Sequence, residues 1–394
     1  MSRKSVLCFT LTSVLLAITC AAQQPSSMRV VDLAAKDGAK LKATYFAAAK
    51  PGPGVLLLHQ CNRQRKVWDE LAQQLAAAGI NVLTLDLRGF GESSGIPAAK
   101  ATQQEAQEQA RRWPGDIDVA LQFLQSQQGV KRDMIGVGGA SCGFNNSVQA
   151  ALRHPKEVKS LVLLSGTTDL AGRKFLRETP QMPILAGLAD DDEFAASIES
   201  TQWIFSISTN PGNQILHYAK GGHGADIFAV HPELRTAIVD WYVTTLIKTP
   251  GHAPTAKERW QAPPTVQILN VIDQPGGAAQ VTQKLEEARK QDPNAVLFTE
   301  ASVNIMGYEH MLAGDAKGAV EILKLNVQAF PDSANVYDSL SDAYLADGQK
   351  DMALENAKKA LELLASDTKA PEAMRNAIRE SAEQKLKQLG GGNK

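Results

Sequence analysis

The stretch Asp133-Met-Ile-Gly-Val-Gly-Gly-Ala-Ser-Cys-Gly-Phe-Asn-Asn-Ser147 constrains this chain most. It begins as an apolar run, turns through a glycine-rich corner and continues with helical spacing at Val148, Ala151 and Leu152. At the corner, Gly139-Ala140-Ser141-Cys142-Gly143 fits G-x-S-x-G. A serine on a sharp strand-to-helix turn needs small flanking residues, because its backbone is strained and the neighbouring segments pack closely. Such a turn exposes the hydroxyl and points the next backbone N–H, that of Cys142, into the same space. A dinucleotide-binding reading of Gly136 and Gly138 fails, because the third required glycine falls on Ser141. We expect no cofactor.

A serine nucleophile of this kind requires an acid and then a histidine later in the chain, and a second oxyanion donor from an earlier loop. The flanking sequence supplies them on a repeating pattern. Met28–Leu33 and Leu41–Ala47 read as strands about the turn Lys36-Asp37-Gly38, and Gly54–His59 as a strand buried on both faces. Val67–Ala78 reads as a helix, Ile80–Asp86 as a strand, and Asp116–Leu124 as a helix leading to the central strand Met134–Val137. Further strands follow at Ser160–Ser165, Met182–Leu188 and Gln214–Tyr218, with a last helix from Pro232 to Leu246. Alternation at these lengths predicts an α/β fold, a mostly parallel sheet with helices on both faces. All connections read as short, which predicts an open site without a cap.

The acid belongs at the end of the strand starting at Pro183, where Ala189-Asp190-Asp191-Asp192-Glu193 lies. Spacing from Pro183 selects Asp192 and spacing from Gly187 selects Asp190; we take Asp192, with Asp191 and Asp190 as alternatives. At least two of the three only solvate a loop. The base belongs after the last strand, where Gly222-His223-Gly224 lies, whereas His217 and His231 read as structural. His59-Gln60-Cys61 ends the earlier buried strand. The backbone N–H of Cys61 is the second oxyanion donor there, with Gln60 as the alternative, and His59 braces the loop.

These motifs, with Asp86-Leu-Arg-Gly-Phe-Gly-Glu-Ser93, make residues 28–248 resemble an α/β-hydrolase of the cap-free, dienelactone-hydrolase-like branch. The resemblance implies a Ser141–Asp192–His223 triad working through an acyl-enzyme. Two positions depart from the pattern. His59-Gln60 stands where His-Gly is usual, and Ser141 stands where dienelactone hydrolases carry cysteine. A carboxylic ester hydrolase is therefore implied. The alternatives are a serine peptidase or amidase on the same triad, and a repeat-based protein-binding scaffold with an inactive hydrolase domain.

Composition shifts at Thr249-Pro-Gly-His-Ala-Pro-Thr255, and 249–265 reads as a linker. Residues 266–394 read as all-α. A helix with Val281, Leu285 and Ala288 on one face precedes a repeat in which Gly314 returns as Gly348, Ala319 as Ala353 and Met311 as Leu345, a period of about 34 residues. The units, about 301–334 and 335–368, pair Asn304–Ala313 with Ala316–Phe330 and Ala334–Ala346 with Asp351–Leu364, and Pro371–Leu389 caps the stack. They resemble tetratricopeptide repeats, which implies either a groove for a peptide or protein partner or a stabilising, dimerising appendage.

The 394-residue chain carries a net charge of −1 without a basic run, which argues against nucleic acid, and its 7 His and 4 Cys form no metal-binding pattern. Arg3 and Lys4 precede the apolar run Val6–Ile18 and the small residues 19–22, the layout of a signal peptide too short for a transmembrane span. Cleavage after Ala22 predicts export to the periplasm or medium, with a lipid-anchored Cys20 as the alternative. The mature chain then keeps Cys61 and Cys142. Both fall at the expected oxyanion positions, so a disulfide between them is a further expectation, against two free thiols.

Overall fold

The computed structural model describes residues 27–255, 260–366 and 370–390; the expected signal peptide and Cys20 lie outside them. Eight strands form one sheet: β1 (Met28–Ala34), β2 (Lys40–Phe46), β3 (Gly52–Leu58), β4 (Asn81–Leu85), β5 (Val130–Ala140), β6 (Val158–Leu164), β7 (Ile184–Ala189) and β8 (Gln214–Tyr218). Their order is β1-β2-β4-β3-β5-β6-β7-β8. β2 runs antiparallel to β1 and to β4, and every other neighbouring pair is parallel. The parallel strands end on one edge, where the segments carrying His59, Ser141, Ser165, Asp192 and His223 emerge together. In open α/β sheets that carboxyl edge is where ligands bind.

Alternation along the strands divides the core. Leu56, Leu58, Val137 and Leu163 face one layer, with α3 (Trp113–Ser126), α4 (Cys142–Arg153), α5 (Leu170–Glu178) and α6 (Ala195–Ile207). Val55, Leu57, Val162 and Leu164 face the other, under α1 (Asp69–Ala77) and α8 (Glu233–Tyr242). Two short helices complete this part, α2 (Gln103–Ala110) and α7 (Ile227–Val230). The strands and α1 lie within a few residues of their expected spans.

Among the described residues of this part, four helices escaped the sequence reading: α2, α5, α6 and the short α7. α2 buries no side chain, so it has no apolar stripe to read. Its start is marked instead by a capping box between Thr102 and Glu105. The last helix stops being α-helical at Tyr242 and continues as a π-helical turn, Val243–Lys248.

Among the described residues, seven further helices follow: α9 (Pro264–Ile272), α10 (Gly277–Gln291), α11 (Glu300–Leu312), α12 (Ala316–Ala329), α13 (Ala334–Ala346), α14 (Lys350–Ser366) and α15 (Glu372–Gly390). α11 starts four residues ahead of the expected Asn304, because the Thr299 hydroxyl accepts from Ser302 N at 3.3 Å and caps it. From α11 to α15 each helix packs on the next. Gly314 and Gly348 close α11 and α13 at φ 82° and 78°, the left-handed conformation that ends a helix without a Cβ penalty. Ala319 and Ala353, one period apart, are both fully buried. Among the described residues, no helix is long and apolar enough to cross a membrane.

The helical region does not hang free from the sheet. Val266, Leu269, Phe298, Met306 and Ile322 belong to the same apolar cluster as the α3–α6 face of the sheet. The Trp203 indole of α6 donates to Asn270 Oδ1 of α9 at 3.1 Å, and Asn270 donates to Ser206 Oγ at 2.6 Å. The Arg173 guanidinium of α5, fully buried, pairs with Asp273 at 2.9 Å and with Glu309 of α11, and lies 4.7 Å from the Trp203 ring.

Candidate active site

Ser141 leaves β5 at φ 53° and ψ −117°, outside the regions an L-residue prefers, and starts α4. Its N–H is anchored by Leu164 O at 3.0 Å and Ser165 O at 3.2 Å. The corner has no room for side chains. A Cβ on Gly139 would lie 2.1 Å from Gly143 O, and one on Gly143 would lie 2.3 Å from Leu58 O. The neighbouring Ser165 also holds a positive φ of 42°. Strain of this kind persists only where the surroundings over-determine it, and it clusters at functional sites.

Of the three aspartates after β7, Asp192 is the one that meets His223. Its carboxylate accepts from Nδ1 at 2.8 and 3.0 Å, from Phe194 N at 2.8 Å and from the Ser197 hydroxyl. Burial works to raise the Asp192 pKa, but the bonds from His223, Ser197 and Phe194 outweigh it and hold the carboxyl below its ordinary range. Asp190 instead pairs with His217 at 2.5 Å, and Asp191 accepts from Gly222 N at 2.8 Å, so both serve the loop. His231 pairs with Glu233 at 2.8 Å and stacks on Tyr218.

An ionised carboxylate only accepts, so Nδ1 of His223 carries a proton, and in the neutral imidazole Nε2 is the nitrogen with the lone pair. That Nε2 is buried and has no hydrogen-bond partner among the described residues, so no bond joins it to the Ser141 hydroxyl here. Both residues line one cavity of about 340 Å³, together with Asn145, Thr167, Phe194 and Ile305. The Phe194 ring meets the His223 imidazole edge-on at 4.7 Å.

Cys61 and Cys142 are joined by a disulfide, with Cα atoms 5.8 Å apart. It ties the loop after β3 to the residue after Ser141. His59 braces that loop from inside. Its Nε2 accepts from Leu87 N at 3.1 Å, so Nδ1 carries the proton and donates to Gln60 O at 2.8 Å. Burial lowers its pKa and keeps it neutral. The Gln60 side chain turns the other way. Its carbonyl accepts from Ala225 N at 2.7 Å and its amide donates to His223 O at 3.2 Å, pinning the histidine loop. Gly224 (φ 62°) is required there, since a Cβ would lie 2.6 Å from Gln60 Oε1. The Asp86–Ser93 motif is structural: Asp86 accepts from Arg65 N at 2.8 Å and Glu92 N at 2.9 Å and pairs with the buried Arg65 guanidinium.

The helical region adds one wall to the site. Connections within the α/β part carry no large cap, yet Ile305 of α11 lines the cavity. Sequence reasoning also passed over Gln60 as a brace, Ser197, Phe194 and Ile305. Phe194 and Ser197 follow the acid by a few residues, so proximity was a usable signal. Ile305 carries none, because it lies on α11, in a different part of the chain from every other residue that lines the cavity.

A family profile described as alpha/beta hydrolase fold matches residues 53–190. A thiohydrolase, aneE, of Aspergillus aculeatus is 28% identical over 124 residues, covering 31% of this chain and 36% of that protein. An uncharacterized protein of Mycobacterium tuberculosis is 30% identical over 145 residues, covering 36% of this chain and 47% of its own length. The chain thus spans between a third and a half of the length of these relatives. The solved esterase Pf2001 of Pyrococcus furiosus aligns with a TM-score of 0.44 at 19% identity, covering 56% of this chain and 94% of that one. By its sheet order and the matched profile, the chain has an α/β-hydrolase fold, continued by an all-α region.

Proposed function

We propose that the chain is a serine hydrolase that cleaves carboxylic esters, with Ser141 as nucleophile, His223 as general base and then acid, and Asp192 as its orienting carboxylate. The observation that carries this reading is the unpaired Nε2 of His223, held by Asp192 and lining the same cavity as the strained Ser141. His223 takes the Ser141 proton as Oγ attacks the acyl carbonyl. The imidazolium formed is stabilised by Asp192 and protonates the departing alcohol. Water, deprotonated in turn by His223, then releases the acid. The backbone N–H groups of Cys61 and Cys142 receive the oxyanion, each worth roughly 3 kcal/mol of barrier. Cys142 is the first residue of α4, where a helix leaves the N–H without an intrahelical acceptor.

Fluorophosphonate labelling of the wild type and Ser141→Ala, with p-nitrophenyl ester turnover alongside, tests it. Both signals are expected to vanish in the variant, with kcat falling on the order of 10^6-fold. A folded wild type that resists labelling overturns the reading. The thiohydrolase match makes a thioester the second substrate class to assay, since the same acyl-enzyme serves both.

Export belongs to the same proposal. The disulfide is at home in an oxidising compartment, and the N-terminal charge and apolar pattern fits a signal peptide. For the helices α11–α14 we propose tetratricopeptide-like units, on the period shared by Gly314 and Gly348 and by Ala319 and Ala353.

A further inference from the structure

We infer that α11 forms one wall of the substrate cavity and that Ile305 on it sets the size of the uncharged, apolar substituent the enzyme accepts. The inference rests on the reading of Ser141 as nucleophile. Three residues at helical spacing, Ser302, Ile305 and Glu309, lie on one stripe of α11. The two outer ones are anchored to the α/β part. Glu199 of α6 accepts from the Ser302 hydroxyl and from Thr299 Oγ1 at 3.0 Å, and Glu309 pairs with the buried Arg173 of α5. Ile305 is thereby fixed about one turn from either anchor, beside the first turns of α6 that supply Ser197 and Ser200 to the cavity.

Ile305 stays 39% exposed and Phe194 55% exposed, although both are large apolar side chains. Facing the cavity of a hydrolase, that unburied surface has a use: an apolar substrate group covers it and gains the transfer free energy. Among the described residues, no acidic or basic side chain other than His223 lines the cavity, so a charged substituent would find no partner there. The volume of about 340 Å³ lies at the small end of ligand pockets and suits a short to medium chain or a single ring.

The test compares kcat/KM across p-nitrophenyl esters of increasing acyl length, and across acetyl esters of increasing alcohol size. The proteins are the wild type, Ile305→Trp, Ile305→Ala and the control Leu312→Ser, at an 88% exposed position one helix turn or more away. With Ile305→Trp, esters longer than acetate are expected to lose about 10-fold or more relative to acetate in one of the two series. With Ile305→Ala, the optimum moves to a longer chain, and the control keeps the wild-type profile. Thermal melts identify a variant that fails to fold, and Ile305→Ala then carries the comparison. Folded variants with the wild-type profile in both series overturn the inference while fluorophosphonate labelling of the wild type leaves Ser141 in place. A uniform loss across all esters also overturns it, because it assigns Ile305 a structural role alone. Absence of wild-type labelling overturns the nucleophile itself, and the inference with it.

Discussion

Ser141 holds a backbone conformation that its own chemistry does not favour, at φ 53° and ψ −117°. A side chain there is stabilised by nothing local; the cost, about 1–3 kcal/mol, is borne by the packed corner around it. Ser141→Gly is therefore expected to raise the stability of the fold by about 1 kcal/mol while abolishing turnover, read from denaturant melts and ester hydrolysis. The acids after β7 differ only in what they face. Asp192→Asn would leave His223 in the wrong tautomer and is expected to lower kcat by about 10^4-fold. Asp191→Asn and Asp190→Asn touch the loop and His217 and should leave kcat close to wild type. A comparable loss in either would move the orienting role away from Asp192.

At the scale of elements, α5, α9 and α11 meet at one buried charge cluster. Arg173 has two carboxylates on it, but they are not equivalent. Burial opposes ionisation of Asp273, yet His310, Arg173 and Arg177 together bring its pKa down to about 2. Burial pushes Glu309 up, and Arg173 is the one cation that answers it among the described residues. Removing one partner of a buried pair strands a charge and costs about 3–5 kcal/mol. Asp273→Asn leaves Arg173 with Glu309 as its one carboxylate and takes from Arg177 its ion-pair partner Asp273, and is expected to cost about that much in urea unfolding, whereas Glu309→Gln leaves Arg173 with Asp273 and should cost about 1 kcal/mol or less. The pH dependence follows the same division. The contribution of Asp273 is complete above its ordinary pKa and is lost as pH falls toward about 2. Ionised Glu309 has the opposite sign: it weighs against the fold at neutral pH, and that weight lifts as pH falls through its raised pKa. Asp273→Asn should therefore flatten the acid limb of the stability curve, and Glu309→Gln should not.

For the molecule as a whole, two long-range connections matter. The Cys61–Cys142 bridge spans a sequence separation of 81, so its loss loosens the unfolded chain and the proposed oxyanion region together. The double variant Cys61→Ser, Cys142→Ser is expected to lose about 2–4 kcal/mol and to lose turnover as well. Unchanged turnover would mean that the braces of His59 and Gln60 suffice. The second connection is the apolar cluster shared by the sheet and α9–α12. A chain ending at residue 255 would expose the Trp203 and Phe205 side of α6, and is expected to aggregate or melt well below the full-length protein. A truncated chain with the wild-type melting temperature would show instead that the α/β part stands alone.

Much of this was written in local sequence. The continuous apolar strands, the tight Gly139–Gly143 corner and the returning glycines of the helical region each follow from propensity, sterics and periodicity over a dozen residues. The order of serine, acid and histidine pointed to Ser141, the 190–192 cluster and His223 because chain order survives folding. What the sequence left open were choices between neighbours and contacts between distant segments. Three consecutive aspartates have the same composition around them, and only the loop after β7 turns Asp192 toward His223. α2 had no apolar stripe, so its pattern was silent. Ile305 reaches the cavity only because Glu199 and Arg173, far away in the chain, hold α11 against α5 and α6. Local chemistry determined the elements and the order of the reactive residues; the packing of elements onto one another decided which side chains share a cavity, since that depends on separations no short window contains.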